Sequence, residues 1–352
     1  MTTMHALRKT SAAAGAELVE LEVPEPGEGE VLVRVHAASI CGTDLHIFDW
    51  NEWAQGRIPR VPMTFGHEVA GTVEAVGPEV HHVQPGAFVA AETHIACGVC
   101  STCRTGRAHI CRNLRILGVD TDGAFAGYVV LPAANAWIVG EGIAPDHASV
   151  MEPFGNAVHA AFGTEGGEDL LTNPVAVIGC GPIGLFAVAI ARALGAWKVF
   201  AIEPNPDRRA LAGTMGADLL IDPVAEDPVE VVLRETDGGG AEVVLEMSGD
   251  ARAIDQGTRM LARGGRMSLL GLPSGPVTLD LNDQVIFKEA RILGITGREM
   301  FRTWQQTTTL LSTGRVDISP VITHRFPLER FEEAFATAAS GHAAKVIMLP
   351  NG

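Results

Sequence analysis

The sequence predicts two domains of different class: a mostly antiparallel β domain at the start of the chain, and a doubly wound parallel α/β sheet that follows before the chain returns to the first. Three observations carry this. Apolar runs of strand length within residues 5–40 and 69–92 are separated by turn signals such as Pro24-Glu25-Pro26-Gly27, Gly77-Pro78 and Pro85-Gly86. From Pro174 onward strands alternate with helical patterns, the rhythm of βαβ units. After Arg298 that rhythm stops. The domains therefore read as 1–155, completed by 298–352, with 156–297 between them.

In the first domain, His5 to Arg8 opens a strand, Glu17 to Val23 alternates polar and apolar residues, and Val31 to Val35 is a buried strand. Val69 to Val76 and Val83 to Glu92 continue the pattern, leaving 41–66 and 93–125 as long loops of the kind that carry function. In the second domain, Pro174 to Ile178 and Lys198 to Ile202 are buried strands flanking the helix-like Leu185 to Leu194. Strands at 218–221, 241–246, 265–270 and 291–296 and helices at 227–235 and 251–261 complete six β units. A helix over 303–313, another over 328–339, and strands at 316–326 and 345–349 belong to the returning segment.

At 352 residues the chain is long enough for two cores, and 47% apolar with 19% charged residues is an ordinary globular composition. A net charge of −16 argues against nucleic acid and anionic membranes as partners. No apolar run reaches the length of a membrane span, and residues 1–14 carry no secretory signal, so the expected location is the cytoplasm. In a reducing compartment the six cysteines favour metal ligation over disulfides.

Two stretches carry metal-ligating chemistry. Cys41 is followed by Thr43 and His46, and then by His67 and Glu68. Thiolate, imidazole and carboxylate suit zinc, whose catalytic sites keep one position open. Cys97, Cys100, Cys103 and Cys111 fall in one short stretch and fit a closed zinc lobe, with two disulfides or an iron–sulfur cluster as the alternatives. A third stretch, Gly179-Cys180-Gly181-Pro182-Ile183-Gly184, sits between a strand and a helix, with Glu203 ending the next strand. This is the dinucleotide fingerprint in its proper setting: the first glycine for the turn, the second for backbone approach to the pyrophosphate, the third for close packing, and the acid for the ribose hydroxyls. A carboxylate there favours NAD over NADP, although Arg208 reaches the same ribose.

This order of motifs over the whole chain resembles the zinc-dependent medium-chain alcohol dehydrogenases. The segments 41–53, 153–159, 245–249, 285–288, 297–304 and 319–326 are similar to the threonine-oxidising branch of that family. The resemblance implies a GroES-like catalytic domain beside a Rossmann domain, and a homotetramer with two zinc ions per subunit. It implies oxidation of the 3-hydroxyl of L-threonine by NAD, giving 2-amino-3-oxobutanoate. A different secondary alcohol or polyol, such as sorbitol or 2,3-butanediol, is the nearest rival substrate. Cys41 and His67 are the implied ligands of the catalytic zinc, with Glu68 and Glu152 competing for a further position. Thr43 would take the hydroxyl proton and pass it by way of the nicotinamide ribose to His46, since imidazole releases protons near neutral pH. Backbone groups of Leu270, Gly271, Leu272, Ile295 and Thr296 would hold the nicotinamide carboxamide, and Ile183 would cap the pyrophosphate turn; plain core packing is the alternative for the leucines. Glu152 or Glu68 is a candidate for the substrate ammonium, and Arg298 or His94 for its carboxylate.

Overall fold

The computed structural model describes residues 2–352. The chain divides into two compact units. One runs to Glu152 and adds Glu299–Ser312 and Ile322–Gly352; the other comprises Pro153–Arg298 and Thr313–Val321. Thr313–Val321 thus lies with the second unit, where the sequence pattern assigns all of 298–352 to the first.

The first unit is built on a seven-stranded sheet. Its order is Ala136–Ile138, Phe88–Ala91, Glu68–Val76, Glu30–Ser39, Lys345–Leu349 and Ile322–Pro327, with Tyr128–Pro132 also paired to Glu30–Ser39. The pairs are antiparallel except Ile322–Pro327 with Lys345–Leu349. Val31, Val33 and Val35 are fully buried in a core that also holds Phe65, Phe125 and Phe335. Two registers meet at Ser39, which stands opposite both Glu68 and Ile347 and so brings residues from both ends of the chain to one place.

The stretch expected as a loop over 41–66 contains two helices, Gly42–Asp49 and Glu52–Arg57. Both start on local capping chemistry. The Asp44 carboxylate accepts from the Cys41 backbone N–H, and Asn51 Oδ1 accepts from Ala54 N at 3.1 Å. Trp50, in the left-handed region at φ 52°, ends the first helix. The helix Met151–Phe162 carries no obvious sequence signal, because Pro153 and Gly155 interrupt its pattern; the proline is tolerated in the first turn. The strand expected over 316–326 begins only at Ile322, after a short turn at Ser319–Val321.

The second unit is a six-stranded, wholly parallel sheet. Its order is Leu219–Ile221, Lys198–Ile202, Pro174–Ile178, Ala241–Glu246, Leu261–Leu269 and Arg291–Gly294. The strand order reverses beside Pro174–Ile178, which makes a crevice at the carboxyl ends of that strand and Ala241–Glu246. Leu185 to Ala191 are buried, so the helix Pro182–Ala193 is covered on most sides. Asn205, Asp227 and Asp250 cap the three following helices with their side chains. Among the described residues, no helix is long and apolar enough to cross a membrane.

Candidate active site

Cys41, His67 and Glu68 come together in the first unit, with one ligand atom from each within 4.8 Å of the others. The fold places them by three routes. Cys41 is the cap of the helix Gly42–Asp49. His67 follows Gly66, whose φ of +92° turns the chain; a Cβ there would lie 2.7 Å from the Phe125 ring. Glu68 begins its strand opposite Ser39. Thr43 and His46 sit on the Cys41 helix, Thr43 half-buried and His46 exposed. His46 Nδ1 is 2.7 Å from Asn51 Nδ2, and its ring centroid is 5.8 Å from that of Trp53.

Three residues that the sequence pattern does not single out shape this cluster. Asp44 is fully buried; its Oδ2 accepts from Cys41 N at 2.8 Å, and its Oδ1 lies 3.3 Å from His67 Nδ1, close enough for attraction without hydrogen-bond alignment. Lys345, from the far end of the chain, donates to both oxygens of Glu68 and to Ile40 O at 3.2 Å. Ser39 Oγ also donates to Glu68. The spacing of Asp44 from a helix cap was a readable signal. Nothing in the sequence links Lys345 to a carboxylate 277 positions away.

The electrostatics favour positive charge here. Burial alone would lower the His67 pKa, but Asp44 and Cys41 hold it well above the usual histidine value. Lys345 is raised, since the Glu68 and Cys41 charges outweigh the desolvation that would lower it. Burial pushes Glu68 up against the pull of Lys345, with Glu152 adding to the rise. Glu152 is nearly buried and is not part of the three-ligand cluster; its Oε1 accepts from Thr93 Oγ1 at 3.0 Å. A thiolate, an imidazole and a carboxylate at this spacing fit zinc.

The four lobe cysteines also converge, and all six cysteines of the chain are free thiols. Cys100 Sγ lies 3.4 Å from Cys103 Sγ and 3.8 Å from Cys111 Sγ. A zinc tetrahedron with sulfur bonds of ~2.3 Å has edges of about 3.8 Å, so the lobe fits one such ion; a disulfide would need about 2 Å. The Thr102 hydroxyl and nearby backbone N–H groups pull Cys100 down to about 5, while desolvation and its sulfur neighbours push Cys103 up to about 12. Four thiols this close do not all ionise without a cation among them.

In the second unit, Gly179 adopts φ +85°, and a Cβ on Gly184 would lie 1.8 Å from Gly179 O, so turn and helix touch through the glycines. Ile183 follows at the helix start. Glu203 is buried, with its carboxylate accepting from Cys180 N at 2.7 Å and Asn205 N at 2.9 Å. A cavity of about 480 Å³ is lined by Gly179, Gly181, Glu203, Arg208, Val224, Ser248, Asp250, Arg252 and neighbours. Leu270, Gly271 and Leu272 follow one strand end, and Ile295 and Thr296 another. Leu272 is 91% exposed, so core packing is not its role. Arg298 is buried and donates to Asn156 Oδ1 at 3.0 Å, which makes it a poor candidate for receiving a substrate carboxylate.

Paired metal donor sets on a β domain, with a fingerprint glycine turn on a parallel sheet, define a zinc- and dinucleotide-dependent dehydrogenase. The family models agree: residues 27–141 match the alcohol dehydrogenase GroES-like domain and residues 182–313 the zinc-binding dehydrogenase domain. The chain belongs to the zinc-containing medium-chain alcohol dehydrogenase family. It is 50% identical to L-threonine 3-dehydrogenase of Bacillus subtilis (strain 168), covering 99% of each chain. It is 47% identical to L-threonine 3-dehydrogenase of Thermococcus kodakarensis, covering 99% of this chain and 98% of the relative. A zinc-binding dehydrogenase of Sinorhizobium meliloti 1021, solved bound to NADP, superposes with a TM-score of 0.91 at 32% identity over 99% of this chain and 100% of that one.

Proposed function

We propose that this protein oxidises the 3-hydroxyl of L-threonine with NAD, giving 2-amino-3-oxobutanoate. The carrying observation is full-length identity of 50% to an L-threonine 3-dehydrogenase, joined to the Cys41/His67/Glu68 cluster. Cys41 and His67 hold the catalytic zinc, with Glu68 or Glu152 as the further carboxylate, and Cys97, Cys100, Cys103 and Cys111 hold a structural one. When bound, zinc polarises the substrate hydroxyl and NAD accepts the hydride. Thr43 takes the hydroxyl proton, and His46, on the exposed side of the same helix, delivers it to water. The buried Asp44 carboxylate attracts the Nδ1 edge of His67 from 3.3 Å. Glu203 and Arg208 receive the adenosine ribose, Gly181 and Ile183 the pyrophosphate, and the backbones of Leu270 to Leu272 and Ile295 to Thr296 the carboxamide.

NADH formation from L-threonine, compared with sorbitol and 2,3-butanediol and with NADP in place of NAD, tests this reading. Threonine with NAD should be the preferred pair. Turnover of a diol but not of threonine would overturn the substrate.

The protein also works as a cytoplasmic homotetramer on this reading. Exposed Leu281, Ile286 and Phe287, beside the edge strand Arg291–Gly294, offer an apolar surface for a second copy. Free cysteines suit a reducing compartment.

A further inference from the structure

Glu246 ends its strand at the strand-order reversal of the parallel sheet and is fully buried. It fastens two crossing loops there. Its Oε1 accepts from Ser248 N at 2.8 Å, from Gly249 N at 3.0 Å and from the Ser248 hydroxyl. Its backbone carbonyl accepts from Leu270 N at 3.0 Å and Gly271 N at 3.2 Å. The next residue, Met247, donates from its backbone to Ile178 O at 2.8 Å, just before the fingerprint turn.

The loops it joins touch without side chains between them. A Cβ on Gly179 would meet Ser248 Cβ at 2.8 Å, one on Gly249 would meet Leu272 O at 2.6 Å, and one on Gly271 would meet Gly249 N at 2.1 Å. Three segments of the cofactor cradle therefore meet at Glu246 and Met247: the carboxyl group holds 248–249, the Glu246 backbone carbonyl holds 270–271, and Met247 N reaches Ile178 O. The second oxygen, Oε2, is buried without a hydrogen-bond partner and would lie 2.8 Å from a Cβ on Gly271. An ionised carboxylate with one orphan oxygen in such a place is costly.

We propose that Glu246 is a positioning residue for the dinucleotide: its side chain is a hydrogen-bond clasp that fixes the loop 247–250, while its backbone carbonyl holds the loop 270–272, beside the fingerprint turn. It rests on the cofactor reading above. Burial moves the Glu246 carboxyl above its ordinary range, against the pull of the Ser248 and Gly249 donors.

Calorimetric titration with NAD and steady-state kinetics on Glu246→Gln and Glu246→Ala test the assignment. Glu246→Gln keeps an oxygen for Ser248 and Gly249 and carries no charge, so its Kd for NAD should stay within about threefold of the parent protein. Glu246→Ala loses the clasp; its Kd and KM for NAD should rise about tenfold or more while kcat falls far less. Should Glu246→Ala fold poorly, Ser248→Ala removes one of the same bonds and should raise Kd in the same direction, by less. Equal weakening in the Gln and Ala variants would show that charge matters and overturn the proposal, as would parental NAD affinity in Glu246→Ala. Failure of the parent protein to bind NAD would instead sink the cofactor reading itself.

Discussion

The two metal-ligating clusters of the first unit are made in opposite ways. The lobe draws all four sulfurs from Cys97 to Cys111, and its contacts are local: Cys97 N and Asn113 N both donate to Cys111 Sγ at 3.3 Å. The Cys41/His67/Glu68 cluster draws on a helix cap, a turn and a strand start, and its supports come from Ser39, Asp44 and Lys345. The lobe is a closed, four-sulfur set with no spare position; the other mixes donor types and surrounds them with charges that titrate. A set of four thiolates fixes a loop, whereas a mixed set under tuned charge leaves room for substrate.

Removing one sulfur from each cluster should separate these roles. Cys41→Ser should lower kcat by about a thousandfold or more, because metal polarisation of the substrate oxygen is worth several kcal/mol. Zinc analysis should fall from two ions per chain to one, with circular dichroism unchanged. Undiminished turnover in this variant would end the metal mechanism.

How legible each cluster was depends on the same contrast. That the four lobe cysteines form one cluster could be read from spacing, because they lie in one short stretch; the choice of zinc over an iron–sulfur cluster or disulfides could not. The fingerprint turn was legible for the same reason, and the strands 174–178, 198–202 and 241–246 were read to the residue because continuous Val and Ile runs mark buried parallel strands. The helices at 42–57 were missed because short helices started by a cysteine cap and an asparagine cap lack an apolar stripe. Lys345 was out of reach: only the sheet order puts its strand beside Glu30–Ser39. The question of Glu68 against Glu152 changes accordingly. Glu68 lies within the cluster but already accepts from Lys345, while Glu152 stands outside it on Thr93.

That ion pair gives the next largest effect. Lys345 and Glu68 are both buried, so Lys345→Met leaves a carboxylate without its countercharge and should cost about 3–5 kcal/mol in urea unfolding. The double variant Lys345→Met/Glu68→Gln should recover most of that loss. If the single variant is as stable as the parent, the pair is not what holds the strand ends at the cluster. In the lobe, by contrast, Cys100→Ser should act locally. One zinc is lost, proteolysis within 97–111 accelerates, and the global unfolding midpoint moves less than for Lys345→Met, since a half-exposed lobe has little apolar core of its own. A larger midpoint shift than that of Lys345→Met would make the lobe the stronger support.

The smallest effect tests a link between the two regions. Asp120 accepts from both terminal nitrogens of Arg57 at 2.6 Å and from Ile116 N at 2.8 Å, tying the strand that leaves the lobe to the second helix after Cys41. Burial would raise the Asp120 pKa, but the Arg57 bonds and Ile116 N–H overcome this and hold it below the usual 3.8. A carboxyl depressed in the folded state contributes stability above its unfolded pKa and loses it as pH falls through the folded value. The tie should therefore be fully present at neutral pH and fade only below about pH 4. Asp120→Asn should lower the unfolding midpoint slightly at pH 7, and parent and variant should converge as the pH is brought below 4. A gap that persists undiminished at acid pH would mean that the contact works through shape, and that the lobe and the helix Glu52–Arg57 are not joined by charge.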